Sequence, residues 1–351
     1  MRGSFWLLYL YDVAEQIDLT AARRLAGNES EKPKLLTPAH APAYIGFENP
    51  PLSVRLASPV VVGENSMRAI GRAFDYGVLS VLLELPFEGD WDTLEHECSR
   101  LLDAAPIAAA AKQVATDLVG SIHGALMAPY ADWLTEEYLV VNVSESDPLL
   151  PRHADKIAEL VRGETQPLSV AERQEVLASS MSCYANDLLV VSWAVALVQD
   201  TPENARTTIQ LLEYANSQLL EFRHYDKVLS DLLAELYKVP DQRRSWWRRW
   251  RLARDAERLN SVRLDVIELT ERSDNALRLL GDMFYARAYR MVANRIGVDD
   301  YRKLVDEKLQ AAGELYRFLV DEFNHQRAFV LEVMVVIILV IELVYPFLGI
   351  R

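Results

Sequence analysis

Residues 328–350 read AFVLEVMVVIILVIELVYPFLGI, the longest apolar run in the chain, with Arg351 behind it. A helix rises about 1.5 Å per residue, and a bilayer core of roughly 30 Å takes about 20 residues, so the run is just long enough to span one. The expectation is a single-pass C-terminal anchor in the inner (cytoplasmic) membrane, with the body on the cytoplasmic side. Val330, Ile337, Ile338, Ile341 and Tyr345 would face lipid, with Glu332 at headgroup level near the start of the span. Glu342 lies inside the run and would cost about 2.5–3.5 kcal/mol if charged at the centre, a cost the surrounding Val, Ile and Leu residues can offset. The alternative is that the segment forms the central helix of an oligomer in water.

Working back from that run, the sequence from Thr201 onward is almost wholly helical. Thr201-Pro202-Glu203 is a helix start, with threonine as cap and proline at the first helical position, and this helix should stop before Pro240. A second helix is expected from about Ser245 to Ile296, with apolar positions Leu252, Leu259, Val262, Val266 and Leu269 in heptad rhythm. After a break at Gly297 to Asp300, the rhythm returns at Val305, Leu309, Ala312, Tyr316, Leu319 and Phe323. Two long helices around a short break predict an antiparallel hairpin whose seam packs on itself, pairs with another copy to form a homo-oligomer, or docks an unknown protein partner. A turn near residue 298 would set Ala328 opposite Glu268 and the tail opposite a stretch holding Arg254, Asp255, Glu257, Arg258 and Arg263. Charged helix cannot follow the tail into hydrocarbon, so an anchor would require the second helix to splay away.

The first 200 residues have a different character. They hold 14 Lys+Arg against 28 Asp+Glu, whereas residues 201–351 hold 23 of each, so the whole net charge of −14 lies in the N-terminal part. Such a surface does not suit a phosphate backbone. Short apolar strands alternate here with modest helices. Strands are expected at Phe5 to Val13, around Leu52 to Val62, at Met67 onward, at Val78 to Leu85 after a turn at Asp75-Tyr76-Gly77, at Tyr138 to Val143 and at Leu188 to Val198. Helices are expected at Leu19 to Leu25, Trp91 to Leu102, Ile107 to Met127, Ala154 to Val161 and Val170 to Ser179, with a loop from Pro33 to Pro51. The predicted class is α+β: a mixed sheet-and-helix domain over residues 1–200, a helical hairpin over 201–327 and a hydrophobic C-terminal helix over 328–350.

The start of the second helix interleaves Arg243, Arg244, Arg248, Arg249, Arg251 and Arg254 with Trp246, Trp247 and Trp250. Tryptophan favours the membrane interface and arginine favours anionic headgroups, so this stretch suits an in-plane helix against membrane lipids. The same composition can bind RNA through phosphate contacts and base stacking, or it can be a locally packed turn.

Catalytic motifs are lacking: there is no P-loop, GxGxxG, GxSxG or HExxH. The six histidines are scattered, Cys98 and Cys183 belong to no metal-spaced cluster, and His96-Glu97-Cys98 would point in different directions on a helix. No cofactor and no metal is implied. The N-terminus reads as a first strand, since Asp12 and Glu15 follow its apolar stretch without a small-residue cleavage site.

The segments FDYGVLSVLLELP (Phe74 to Pro86), LLEFRHYDKVL (Leu219 to Leu229), ERLNSVRLDVIELTERSDNALRLLGD (Glu257 to Asp282) and the apolar C-terminal helix resemble the required-for-meiotic-nuclear-division family. The resemblance implies a membrane-associated protein; mitochondrial members are linked to organellar translation. Without an Arg-rich, acid-poor leader this chain looks like a bacterial-type member. Three functions stand open: a tail-anchored, self-associating scaffold, an RNA- or ribosome-associated protein using the Arg/Trp cluster, and an enzyme with its site in the N-terminal domain.

Overall fold

The computed structural model describes residues 1–27, 30–31, 50–164, 166–237, 247–279 and 283–344. The fold is α+β, with a mixed N-terminal sheet and C-terminal helices. Contacts divide the chain into two units, one of residues 1–224 with 266–303, the other of residues 225–265 with 304–351.

The first unit is organised by β1 (Arg2–Ile17), whose residues from Phe5 to Ala14 are all buried. A strand buried on both faces belongs in the middle of a covered sheet. It lies between β6 (Val78–Glu88) and β7 (Leu126–Val143), antiparallel to both. On one side the sheet continues from β6 through β5 (Asn65–Ala73) and β3 (Leu52–Arg55) to β2 (Ser30–Glu31), with β4 (Val60–Val62) also paired to β5. On the other side β7 is followed by β10 (Val195–Gln199), β9 (Leu188–Val191) and β8 (Ser180–Met181). All pairings are antiparallel save β7 with β10, which run parallel.

Strand alternation gives each face its own cover. Phe5, Leu7, Tyr9, Tyr11 and Val13 join one core with α1 (Leu19–Ala26), α2 (Trp91–Leu102), α3 (Ala105–Ile122), α4 (Leu150–Arg162) and α5 (Val170–Ala178). Each fully buried side chain of this size contributes roughly 1.5–3 kcal/mol. Trp6, Leu8, Leu10 and Asp12 point to the opposite face, which is met by α6 (Pro202–Tyr237). Local chemistry fixes the helix starts: the Asp18 carboxylate accepts from the Thr20 and Ala21 amides, and Asp90 accepts from the Thr93 amide. The turn between β5 and β6 requires Gly77, which sits at φ +96° with its would-be Cβ only 1.8 Å from the Ala14 carbonyl oxygen.

Two elements differ from the sequence reading. The helix expected over Ile107 to Met127 ends at Ile122, and after a 3-10 turn the chain enters an 18-residue strand, β7. The outer half of β7, Leu126 to Glu137, has no fully buried residue, and its apolar and polar residues do not alternate in the way that marks a strand. The stretch Leu188 to Val198 is a hairpin of two strands, β9 and β10, closed where the Ser192 amide donates to the Val195 carbonyl at 2.9 Å.

The remaining helices are α7 (Trp247–Leu279), α8 (Met283–Ile296) and α9 (Val298–Val344). The expected membrane anchor is not supported, because among the described residues no helix is long and apolar enough to cross a membrane. Glu332 and Glu342 leave nine uninterrupted apolar residues, Val333 to Ile341, between them. At about 1.5 Å each these cover roughly 13 Å, less than half of a hydrocarbon core of about 30 Å. A transmembrane tail anchor and a location in the inner membrane are corrected accordingly.

Candidate functional site

In the first unit, α6 lays a band of polar side chains against the sheet. Glu213, Asn216, Ser217, Gln218 and Glu221 are all buried, on a helix that also buries Leu212, Leu219, Leu220 and Phe222. Steps of four along the helix keep Glu213, Ser217 and Glu221 on one face. Arg72 of β5 ion-pairs with Glu213, and the Tyr76 and Ser217 hydroxyls are 2.6 Å apart. Further along, Arg223 pairs with Glu136 of β7, and His224 Nδ1 lies 2.6 Å from Asp12 Oδ2 of β1 while its ring stacks on Tyr130. Burial pushes the Glu213 carboxyl above its ordinary value, against the pull of Arg72, and does the same to Glu136 against Arg223. These pairs tie one helix to β1, β5 and β7.

Beside this band, at the N-terminal end of α6, the same sheet face carries a cavity of about 440 Å³. Register explains its lining. Trp6, Glu84 and Arg68 form one cross-strand row over β1, β6 and β5; Leu82 and Ile70 form the next; Ser80 and Arg72 the third. Arg55 of β3 pairs with Ile70 in register, and Arg206 enters from the first turns of α6. Four arginines therefore border one cavity, in the part of the chain that carries all the net negative charge. Arg68 lies 3.4 Å from Glu84 and Arg72 is held by Glu213, whereas Arg206 is exposed and has no hydrogen-bond or ion-pair partner among the described residues.

The residues singled out from sequence lie elsewhere. Ile337, Ile338 and Ile341 are exposed on α9; the side chains of Val330, Glu332 and Glu342, and the whole of Tyr345, lie outside the described residues. Arg243, Arg244 and Trp246 also lie outside them. Trp247 to Arg251 are helical in backbone with side chains not described, and Arg254 is exposed. Of the seam positions, Val262, Val266 and Leu269 are buried, Leu259, Leu309 and Tyr316 half-buried, and the side chains of Leu319 and Phe323 not described. Among the described residues no group of three His, Cys, Asp or Glu could hold a metal ion. Cys98 is buried with its thiol pushed up to about 12, which makes it unreactive.

Sheet, flanking helices and arginine-bordered cavity together define an α+β body. The chain belongs to the family described as uncharacterized protein MJ0711, N-terminal domain, which matches residues 2–205. It is 22% identical over 217 residues to the uncharacterized protein MJ0711 of Methanocaldococcus jannaschii, covering 61% of this chain and 66% of that relative's length. No solved structure matches. Membership in the meiotic-nuclear-division family is corrected by this match, which lies on the N-terminal sheet domain, where the diffuse motifs quoted for that resemblance are fewest. The match spans the cavity's sheet-borne lining from Trp6 to Glu84.

Proposed function

We propose that this chain is a non-enzymatic assembly protein that self-associates through the C-terminal part of α9. The observation that carries this reading is the run Val333 to Ile341, nine consecutive large apolar residues each 41–58% exposed. Nine residues make about two and a half turns, so the helix presents apolar surface around its whole circumference. A flat partner would bury one side of it. Identical helices from several copies, packed side by side, bury every side and gain the hydrophobic term along the full run. Val262, Val266 and Leu269 are buried within the single chain and offer little surface to a partner, which supports assigning the association to α9.

Light scattering and sedimentation of the full chain in detergent-free buffer test this, beside Ile338→Asp and a version stopped at Gln326. The full chain is expected to form a defined oligomer and both altered forms a monomer with unchanged circular dichroism per residue in the sheet region. A monomeric full chain, or an oligomer indifferent to Ile338→Asp, overturns the reading.

A further inference from the structure

We infer that the cavity on the α6 face of the sheet binds a monocarboxylate with a compact apolar body. This goes beyond self-association and rests on different residues. Most of the positive charge around the cavity is already engaged within the fold. Arg68 lies 3.4 Å from Glu84, Arg72 ion-pairs with Glu213, and Arg55 has an interaction partner of its own. Arg206 is the one arginine of the cavity without a partner among the described residues, and it is exposed.

One free guanidinium calls for one negative charge, and its planar fork of donors matches the two coplanar oxygens of a carboxylate. Gln210 follows Arg206 by four residues on α6, so its side-chain amide borders the space from the same helix face. The opposite side is apolar. Trp6 stands in one cross-strand row and Ile70 and Leu82 in the next, and Ile209 joins them from α6. About 440 Å³ is ample for a carboxylate whose body is the size of one aromatic ring. A second negative charge on the ligand would meet no second free cation and would face Glu84 at the cavity wall, within a region whose overall balance is acidic.

Ligand-observed NMR titration of the full chain with phenylacetate, its neutral analogue phenylacetamide, acetate and phenyl phosphate tests the inference. Phenylacetate is expected to bind saturably, with affinity falling as ionic strength rises, and the other three at least about tenfold more weakly. Arg206→Ala, at an exposed position, is expected to leave the circular dichroism unchanged and to weaken phenylacetate about tenfold or more without affecting phenylacetamide, and Arg206→Lys to recover part of the loss. Ile70→Ala should weaken phenylacetate and phenylacetamide by similar factors. No saturable binding of phenylacetate, equal binding of phenylacetamide, or indifference to Arg206→Ala overturns the anion site. Acetate binding as tightly as phenylacetate, or indifference to Ile70→Ala, overturns the apolar body, and tighter binding of phenyl phosphate overturns the single charge. None of these readouts depends on the oligomeric state, so the cavity and the α9 interface fail or stand separately.

Discussion

The middle of α6 and the end of α9 reverse the usual rule of burial. Between Glu213 and Glu221 α6 places Glu, Asn, Ser, Gln and Glu out of water, while from Val333 to Ile341 α9 leaves valine, methionine, isoleucine and leucine in it. Burial of Glu213 in the first set is eased by its ion pair with Arg72, since an unpaired buried charge costs several kcal/mol and a paired one far less. Among the described residues nothing covers the second set. The polar stretch of α6 is thus answered in part within the fold, whereas the apolar stretch of α9 is left facing solvent.

The strongest way to break this contrast is to remove a partner from α6. Arg72→Met leaves Glu213 buried and unpaired, and is expected to cost about 3–5 kcal/mol in urea unfolding. The pH dependence sharpens the point. Burial holds Glu213 above 4.5 in the fold, so ionising it costs more there than in the unfolded chain, and its contribution to stability falls as pH rises from 4.5 through the folded value. Arg72 opposes that shift, so the Met variant should lose stability with rising pH more steeply than the parent; parallel profiles would count against the pairing.

Smaller effects follow along the same helix. Tyr76→Phe removes the hydrogen bond to Ser217, whose hydroxyl still donates to the Tyr214 carbonyl at 2.7 Å, so a loss of about 1 kcal/mol is expected by thermal unfolding. Asn216→Leu should go the other way. The Asn216 amide nitrogen donates to Leu212 in its own helix and its Oδ1 has no hydrogen-bond partner, so an apolar side chain of similar size should stabilise by about 0.5–1 kcal/mol. A destabilised Asn216→Leu would show that the amide has work beyond its own helix. Least of all, Ile338→Ser should change unfolding by no more than about 0.5 kcal/mol at dilutions where the chain does not associate, because the side chain is 53% exposed.

Much of the architecture is legible in the letters. β1, the β5–turn–β6 hairpin at Asp75-Tyr76-Gly77 and the start of α6 follow from alternation, a turn glycine and a Thr-Pro cap. The outer half of β7 does not, since ADWLTEE carries no apolar alternation and is held by pairing with β1. The tail misleads for a different reason: the run is long in letters, but Glu332 and Glu342 cut its uninterrupted part below membrane thickness. The cavity leaves only a faint trace, Arg68 and Arg72 alternating about Ile70 in a strand otherwise apolar on its buried face. Arg55 and Arg206 reach that trace only through strand pairing and helix placement, which no local pattern encodes.

The position of β1 also dictates how the chain can be made. The central strand of the sheet is synthesised before both of the strands it pairs with, which run to Glu88 on one side and Val143 on the other. Until those residues are synthesised, FWLLYLYDV has two open edges and apolar side chains on both faces, the state most prone to wrong pairing. Synthesis order and assembly order are thus opposed, and the sheet can close on both sides of β1 only after β7 has emerged.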